Sequence, residues 1–133
     1  MLKKDYPFLK VEIGDSFSSG ISTHVDWKPR TNVIETGDLL VVEVELPGVK
    51  KDGVNILLQG DKELIINGNK PKPRHDEPLV NYLLFEREFG TFYKKIVIDF
   101  PLDSSNISSS MENGVLVIKL PRKKNLTISV DIK

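Results

Sequence analysis

Apolar and polar residues alternate along much of this chain with a period of two, which is the pattern of a half-buried β-strand. The alternation is clearest at 115–121, where Leu116, Ile118 and Leu120 share one face. The Asn113-Gly114 pair before this run tolerates the positive φ of a type I′ turn, so we predict a β-hairpin. The other strand of the hairpin is short and weakly apolar, with one face formed by Ile107, Ser109 and Met111.

The same period predicts further strands over residues 31–36, 39–46, 54–58, 64–67 and 92–100. Lys94 interrupts the apolar face of the last of these strands. No segment shows a capped apolar pattern of helical period, so the helix content should be very low. Many short strands without helices predict an all-β fold, an immunoglobulin-like antiparallel β-sandwich.

Three segments fall outside this regular pattern. Residues 1–27 carry isolated aromatic residues and no continuous apolar face, which indicates either a disordered leader or an arm that docks on another subunit. Residues 81–87 are an apolar, strand-like run in a long proline-rich excursion, and they pair either with the chain's own sheet or with a partner's. Residues 126–133 alternate again, and they form either one more strand of the sandwich or a ligand for an exposed sheet edge.

The composition excludes several classes of partner. Lys plus Arg and Asp plus Glu both number 19 among 133 residues, so no basic surplus suggests a nucleic-acid partner. The uncharged apolar runs are only a few residues long, too short to span a membrane. The absence of cysteine excludes disulfides and thiolate metal sites, and it is compatible with a cytoplasmic location.

Catalytic chemistry has no candidate residues in this sequence. The two histidines, His24 and His75, have no metal-ligand neighbour three or four positions on, so we predict no metal site. No Gly-Lys dipeptide occurs, which excludes a P-loop, and no serine lies in a G-x-S-x-G motif. We therefore predict that the protein is not an enzyme and needs no cofactor.

Three motifs, in order and with matching spacing, resemble those of small heat-shock proteins, the Hsp20 or α-crystallin domain family. They are Glu45-Leu46-Pro47-Gly48-Val49-Lys50-Lys51, Glu86-Arg87-Glu88-Phe89-Gly90-Thr91-Phe92, and Asn113-Gly114-Val115-Leu116 with Pro121. The tail adds a fourth sign, because Ile128-Ser129-Val130 and Val130-Asp131-Ile132 both look like the family's I/V-x-I/V motif. Lys94 and Lys95 stand where the family usually has arginines.

The resemblance implies an α-crystallin domain over residues 28–121, between an N-terminal arm at 1–27 and a C-terminal tail at 122–133. It also implies an ATP-independent chaperone, a holdase that binds non-native client proteins in the cytoplasm and prevents their aggregation. The working unit would be a homo-oligomer built from dimers of the bacterial and archaeal strand-swapped type. The alternative is a monomeric adaptor sandwich, similar to the p23/CS co-chaperones, that binds one defined partner.

The resemblance further suggests which residues make contacts. A groove for the tail or for a client would be lined by Val54, Ile56, Leu58, Ile107, Ser109 and Met111. The tail motif that enters this groove would comprise Ile128, Val130 and Ile132. Strand exchange in the dimer would involve Tyr82, Leu84 and Glu86 with Asn32 and Ile34. The contact residues of the client-binding arm would be Phe8, Phe17 and Trp27.

Overall fold

The computed structural model describes residues 9–12, 25–123 and 129–133, with only the backbone path given for 9–12. Within these ranges the chain forms two four-stranded antiparallel sheets and no α-helix. The strands are β1 (Leu9–Glu12), β2 (Thr31–Thr36), β3 (Leu39–Glu45), β4 (Val54–Gln59), β5 (Glu63–Lys70), β6 (Gly90–Ile98), β7 (Ser108–Glu112) and β8 (Val115–Pro121). One sheet has the order β1-β6-β5-β4 and the other β2-β3-β8-β7. The predicted β-sandwich is therefore confirmed.

The core lies between the two sheets and is filled by every second residue of the central strands. On β8, Leu116, Ile118 and Leu120 are all buried, as the alternation predicted. Each lies directly opposite a buried residue of β3, in the pairs Val44–Leu116, Val42–Ile118 and Leu40–Leu120. Opposite residues of paired strands point to the same face, so these pairs form a continuous apolar layer. Full burial of one such side chain contributes about 1.5–3 kcal/mol.

The turn between β7 and β8 has the conformation predicted for Asn113-Gly114. The φ angles are +53° at Asn113 and +75° at Gly114, both in the left-handed region that these residue types tolerate. The Gly114 carbonyl oxygen also accepts a hydrogen bond from the Leu46 N–H at 2.7 Å. This bond ties the hairpin turn to the end of β3 and fixes the hairpin within its sheet.

Lys94 points into the core, where the sequence predicted an interruption of the apolar face. Its Nζ donates a hydrogen bond to the Pro29 carbonyl oxygen at 2.8 Å. Burial lowers the pKa of the Lys94 ammonium, and the nearby Lys28 lowers it further. This hydrogen bond thus attaches Pro29, in the segment that leads into β2, to β6.

The structure bears on two segments for which the sequence left alternatives open. Residues 71–89 form no strand within this chain, so residues 81–87 do not pair with the chain's own sheet, and β5 and β6 pair directly with each other on either side of the loop. At the N-terminus, β1 pairs with β6, from Leu9 opposite Ile98 to Glu12 opposite Lys95. These four residues thus pair with a strand of their own chain in this structure. Their pairing covers an edge of β6 that would otherwise expose backbone hydrogen-bonding groups.

Candidate docking groove and exchange loop

A groove lies where the last strands of the two sheets, β4 and β7, approach each other. Its cavity has a volume of about 260 Å³ and is lined by Lys51, Val54, Ile56, Ser109, Ser110, Met111 and Leu116. Four residues predicted for the groove are thus brought together, although the two strands are about 50 positions apart in the sequence. The other two, Leu58 and Ile107, are half-buried against the same core.

The walls and floor of this groove suit an extended peptide. Val54, Ile56 and Met111 provide an apolar floor, since they pack half-buried against the core. Ser109 lies opposite the buried Ile118 and therefore points inward, into the groove. Among the described residues, β4 and β7 each pair with one neighbour only. An extended segment with apolar side chains at alternate positions could pair with such an edge and fill the groove.

The end of the tail is exposed. Val130 and Ile132 have 82% and 100% of their surface accessible to solvent. Residues 129–133 form no strand, so the alternative of one more strand in the chain's own sandwich is not found there. Ile128, the remaining residue of the predicted motif, lies outside the described residues.

The exchange loop, residues 71–89, carries a large exposed apolar surface. Leu83 is 98% exposed and Leu79 is 92% exposed, and Leu84, Phe85, Tyr82 and Val80 are also exposed. Several exposed apolar residues within one loop are typical of an interaction site. On β2, Asn32 and Ile34 are exposed as well, and among the described residues β2 pairs with β3 alone. Within one chain the two predicted partners of strand exchange are therefore not paired with each other.

An aromatic and cationic cluster lies inside the exchange loop, and no pattern in the sequence predicted it. The Tyr82 ring meets the Phe85 and His75 rings edge-on, with centroid distances of 5.0 and 5.8 Å. Lys72 Nζ lies 4.7 Å from the Tyr82 ring centroid and 5.1 Å from that of Phe85. The sequence does contain these residues close together, but only the folded loop shows that they contact one another.

Trp27 is a core residue, which corrects its assignment to the contact residues of the arm. The side chain is only 8% exposed, and its ring meets the Phe92 ring edge-on at a centroid distance of 5.4 Å. The indole N–H donates a hydrogen bond to the Gly90 carbonyl oxygen at 2.9 Å. A ring held in this way offers no free surface to a client. The other two arm residues, Phe8 and Phe17, lie outside the described residues.

In the ranges that the structure describes, no group of three or more His, Asp or Glu side chains is placed to hold a metal ion. His75, one of the two histidines, instead contacts the Tyr82 ring. No helix in the same ranges is long and apolar enough to cross a membrane.

The chain matches the Hsp20/alpha crystallin family over residues 32–133. The chain belongs to this family. It is 32% identical over 132 residues to a 17.6 kDa class I heat shock protein of Arabidopsis thaliana. The aligned region covers 95% of this chain and 81% of that protein. It is 31% identical over 119 residues to small heat shock protein C2 of Rickettsia felis, with coverage of 89% and 76%.

Solved structures agree with this membership. Heat shock protein 16.0 from Schizosaccharomyces pombe is 34% identical, with a TM-score of 0.67 and coverage of 80% of this chain and 99% of that one. The hspA protein from Xanthomonas axonopodis is 25% identical, with a TM-score of 0.64 and coverage of 73% and 95%. Membership in the small heat-shock family supports a chaperone role and agrees with the prediction that the protein is not an enzyme.

Proposed function

We propose that this small heat-shock protein is an ATP-independent holdase that binds non-native proteins in the cytoplasm and prevents their aggregation. It works as a homo-oligomer built from strand-exchanged dimers, and its tail joins the dimers. The observation that carries the proposal is the open groove between β4 and β7, with an apolar floor and a strand edge on either side. Such a groove accepts extended apolar segments without reading their sequence closely, which is what a holdase requires.

The tail supplies a matching segment, because Val130 and Ile132 alternate with polar residues and are exposed. Burying one such side chain contributes about 1.5–3 kcal/mol. Ordering the backbone of each tail residue costs roughly 1–2 kcal/mol. Because the two terms nearly offset each other, a single tail contact is weak and reversible. Several contacts made together hold an assembly, and a non-native segment can replace any one of them.

Strand exchange gives the dimer at the base of this assembly. The exposed Tyr82 and Leu84 of one chain would lie along the β2 edge of the second chain, next to Asn32 and Ile34. This pairing would cover the apolar surface of the exchange loop and the backbone groups of the β2 edge together.

Removal of residues 126–133 tests the role of the tail. We expect the particle mass, measured by light scattering, to fall to that of a dimer, since the tail motif that fills the groove is lost. An unchanged mass would refute the assignment of the tail. A particle that stays monomeric at every concentration, even with the tail intact, would favour a p23/CS-like adaptor.

Two serines on β7 give a matched pair of variants for the groove itself. Ser109→Phe places a ring in the groove, whereas Ser108→Phe lies on the other face, because Ser108 pairs with the exposed Lys119. We expect only Ser109→Phe to reduce the particle mass as the tail deletion does. If Ser108→Phe and Ser109→Phe reduce the particle mass equally, the added volume on β7, and not a blocked groove, is the cause.

The holdase activity is measured with a heated client enzyme in the absence of ATP. We expect the intact chain to suppress the rise in light scattering in proportion to its concentration. A client that aggregates at the same rate with the chain as without it would refute the proposed function.

A further inference from the structure

The two ends of the exchange loop meet at one point on the sandwich. Lys70 ends β5, Gly90 begins β6, and the two residues are Cα partners in the sheet. The loop therefore leaves and returns through adjacent positions, which we call its feet. Contacts at the feet decide the direction in which the loop projects.

Trp27 contacts both feet. Its indole N–H donates to the Gly90 carbonyl oxygen at 2.9 Å, and Lys70 Nζ lies 5.4 Å from the Trp27 ring centroid. The same ammonium lies 5.5 Å from the ring centroid of Phe89, the last residue of the loop. The buried Lys70 ammonium thus links the indole to the end of the loop, because it makes cation–π contacts with both the Trp27 and the Phe89 ring.

Asp26 holds the foot at Gly90 from the other direction. Its carboxylate Oδ2 accepts hydrogen bonds from the Thr91 N–H at 2.8 Å and from the Thr91 hydroxyl at 3.0 Å. The N–H groups of Asp26 and Trp27 both donate to the Thr91 carbonyl oxygen, at 3.0 and 3.3 Å. Gly90 has a φ of +104°, and a Cβ there would overlap the Asp26 carboxylate. No residue other than glycine fits this foot while Asp26 is in place.

The segment that holds the feet also leads into β2. Arg30 is followed directly by Thr31, the first residue of β2, and the Pro29 carbonyl oxygen is bound by Lys94. This segment therefore fixes the exchange loop relative to the β2 edge of the same chain. A chain would donate the loop to its partner and would receive the partner's loop at the β2 edge. In a two-fold dimer each chain donates one loop and receives one, so this relative orientation decides whether both strand exchanges can form in the same dimer.

We propose that Asp26, Trp27 and Lys70, the Trp27 clasp, position the exchange loop for strand exchange between two chains. This inference rests on the strand-exchanged dimer of the proposed function. The clasp limits the directions in which the loop can leave the sandwich, so less conformational entropy is lost when it docks. Opening the clasp frees the loop, and bound subunits dissociate and exchange faster.

The substitution Lys70→Met separates this positioning role from a purely structural one. Met keeps the unbranched stem but removes the cation that bridges Trp27 and Phe89. Burial lowers the pKa of Lys70, the nearby Arg87 lowers it further and Glu88 raises it, so the cost of keeping this ammonium away from water offsets what its ring contacts contribute to the folded chain. We expect the urea midpoint of Lys70→Met to stay the same or to rise. If Lys70 only supported the fold, a substitution that keeps or raises the stability would leave the rate of subunit exchange unchanged or lower it.

Subunit exchange is followed by native mass spectrometry after mixing full-length chains with and without ¹⁵N labelling. We expect Lys70→Met to exchange about threefold to tenfold faster than the unsubstituted chain, as for loss of a partly buried cation–π contact. Lys62→Met is the matched control, because Lys62 is exposed in the turn between β4 and β5, outside the loop and the groove. Lys70→Arg keeps a cation over the rings and should restore most of the slow exchange.

Equal exchange rates for the Lys70→Met and Lys62→Met chains would overturn the clasp. A faster rate accompanied by a lower urea midpoint would also overturn it, since general loosening of the fold would then explain both. Failure of the proposed function looks different, because an unsubstituted chain that is monomeric at every concentration would have no subunits to exchange.

Discussion

The substitution Gly68→Ala tests how tightly β5 is enclosed in the sandwich. Gly68 lies between Val54 of β4 and Phe92 of β6, its Cα partners in the sheet. A Cβ at this position would overlap the Gly53 carbonyl oxygen and would lie 2.7 Å from Phe92 Cζ. Real Cβ atoms essentially never come closer than 3.0 Å to such neighbours, so something has to move.

Neither neighbour of Gly68 can move cheaply. The carbonyl oxygen belongs to the backbone of Gly53, just before β4, and the Phe92 ring is almost wholly buried in the core. Overpacking a core typically costs 1–3 kcal/mol, so we expect a loss of about 3 kcal/mol. The control is Gly37→Ala, where no atom lies within 4 Å but φ is +46°. Left-handed strain alone should cost that variant about 1 kcal/mol.

Urea unfolding measures the difference between these two variants. Trp27 is the only tryptophan and is buried, so its fluorescence reports the loss of the core. A difference of about 2 kcal/mol corresponds to midpoints separated by roughly 0.7–2 M urea. The titrations are repeated at several protein concentrations, because assembly also stabilises the folded chain. If the two variants unfold within about 0.5 kcal/mol of each other, the steric argument for Gly68 is wrong.

Two further substitutions test the buried cation and the hairpin turn. Because the pKa of Lys94 is lowered in the folded chain, the unfolded chain binds more protons between that pKa and 10.5, and stability from this group rises with pH there. The free energy of unfolding of the unsubstituted chain should therefore rise relative to that of Lys94→Met as the pH is raised from neutral toward 10.5, in paired urea titrations. A difference that stays constant over this range would contradict the argument. Asn113→Ala should cost about 1 kcal/mol at its φ of +53°, whereas Asn113→Gly should cost little, and equal costs in the same titration would refute the turn argument.

The sequence by itself determined most strands of the two sheets and the side chains of β8 that face the core. The alternation at Leu116, Ile118 and Leu120 predicted their burial, and Asn113-Gly114 predicted a turn with positive φ. These features follow from neighbours in the chain, because the two-residue period of a strand and the steric limits of a turn are local properties. The family motifs then identified the kind of sandwich, and the match over residues 32–133 confirmed it.

Only the tertiary structure decided which strand edges meet and where an isolated aromatic residue goes. Val54 and Met111 line one groove because the two sheets end side by side, and no local pattern contains that information. Trp27 has few apolar neighbours in the sequence, yet the fold buries it against Phe92 and over the feet of the exchange loop. Burial and edge pairing depend on residues far along the chain, so they are settled when the sheets pack.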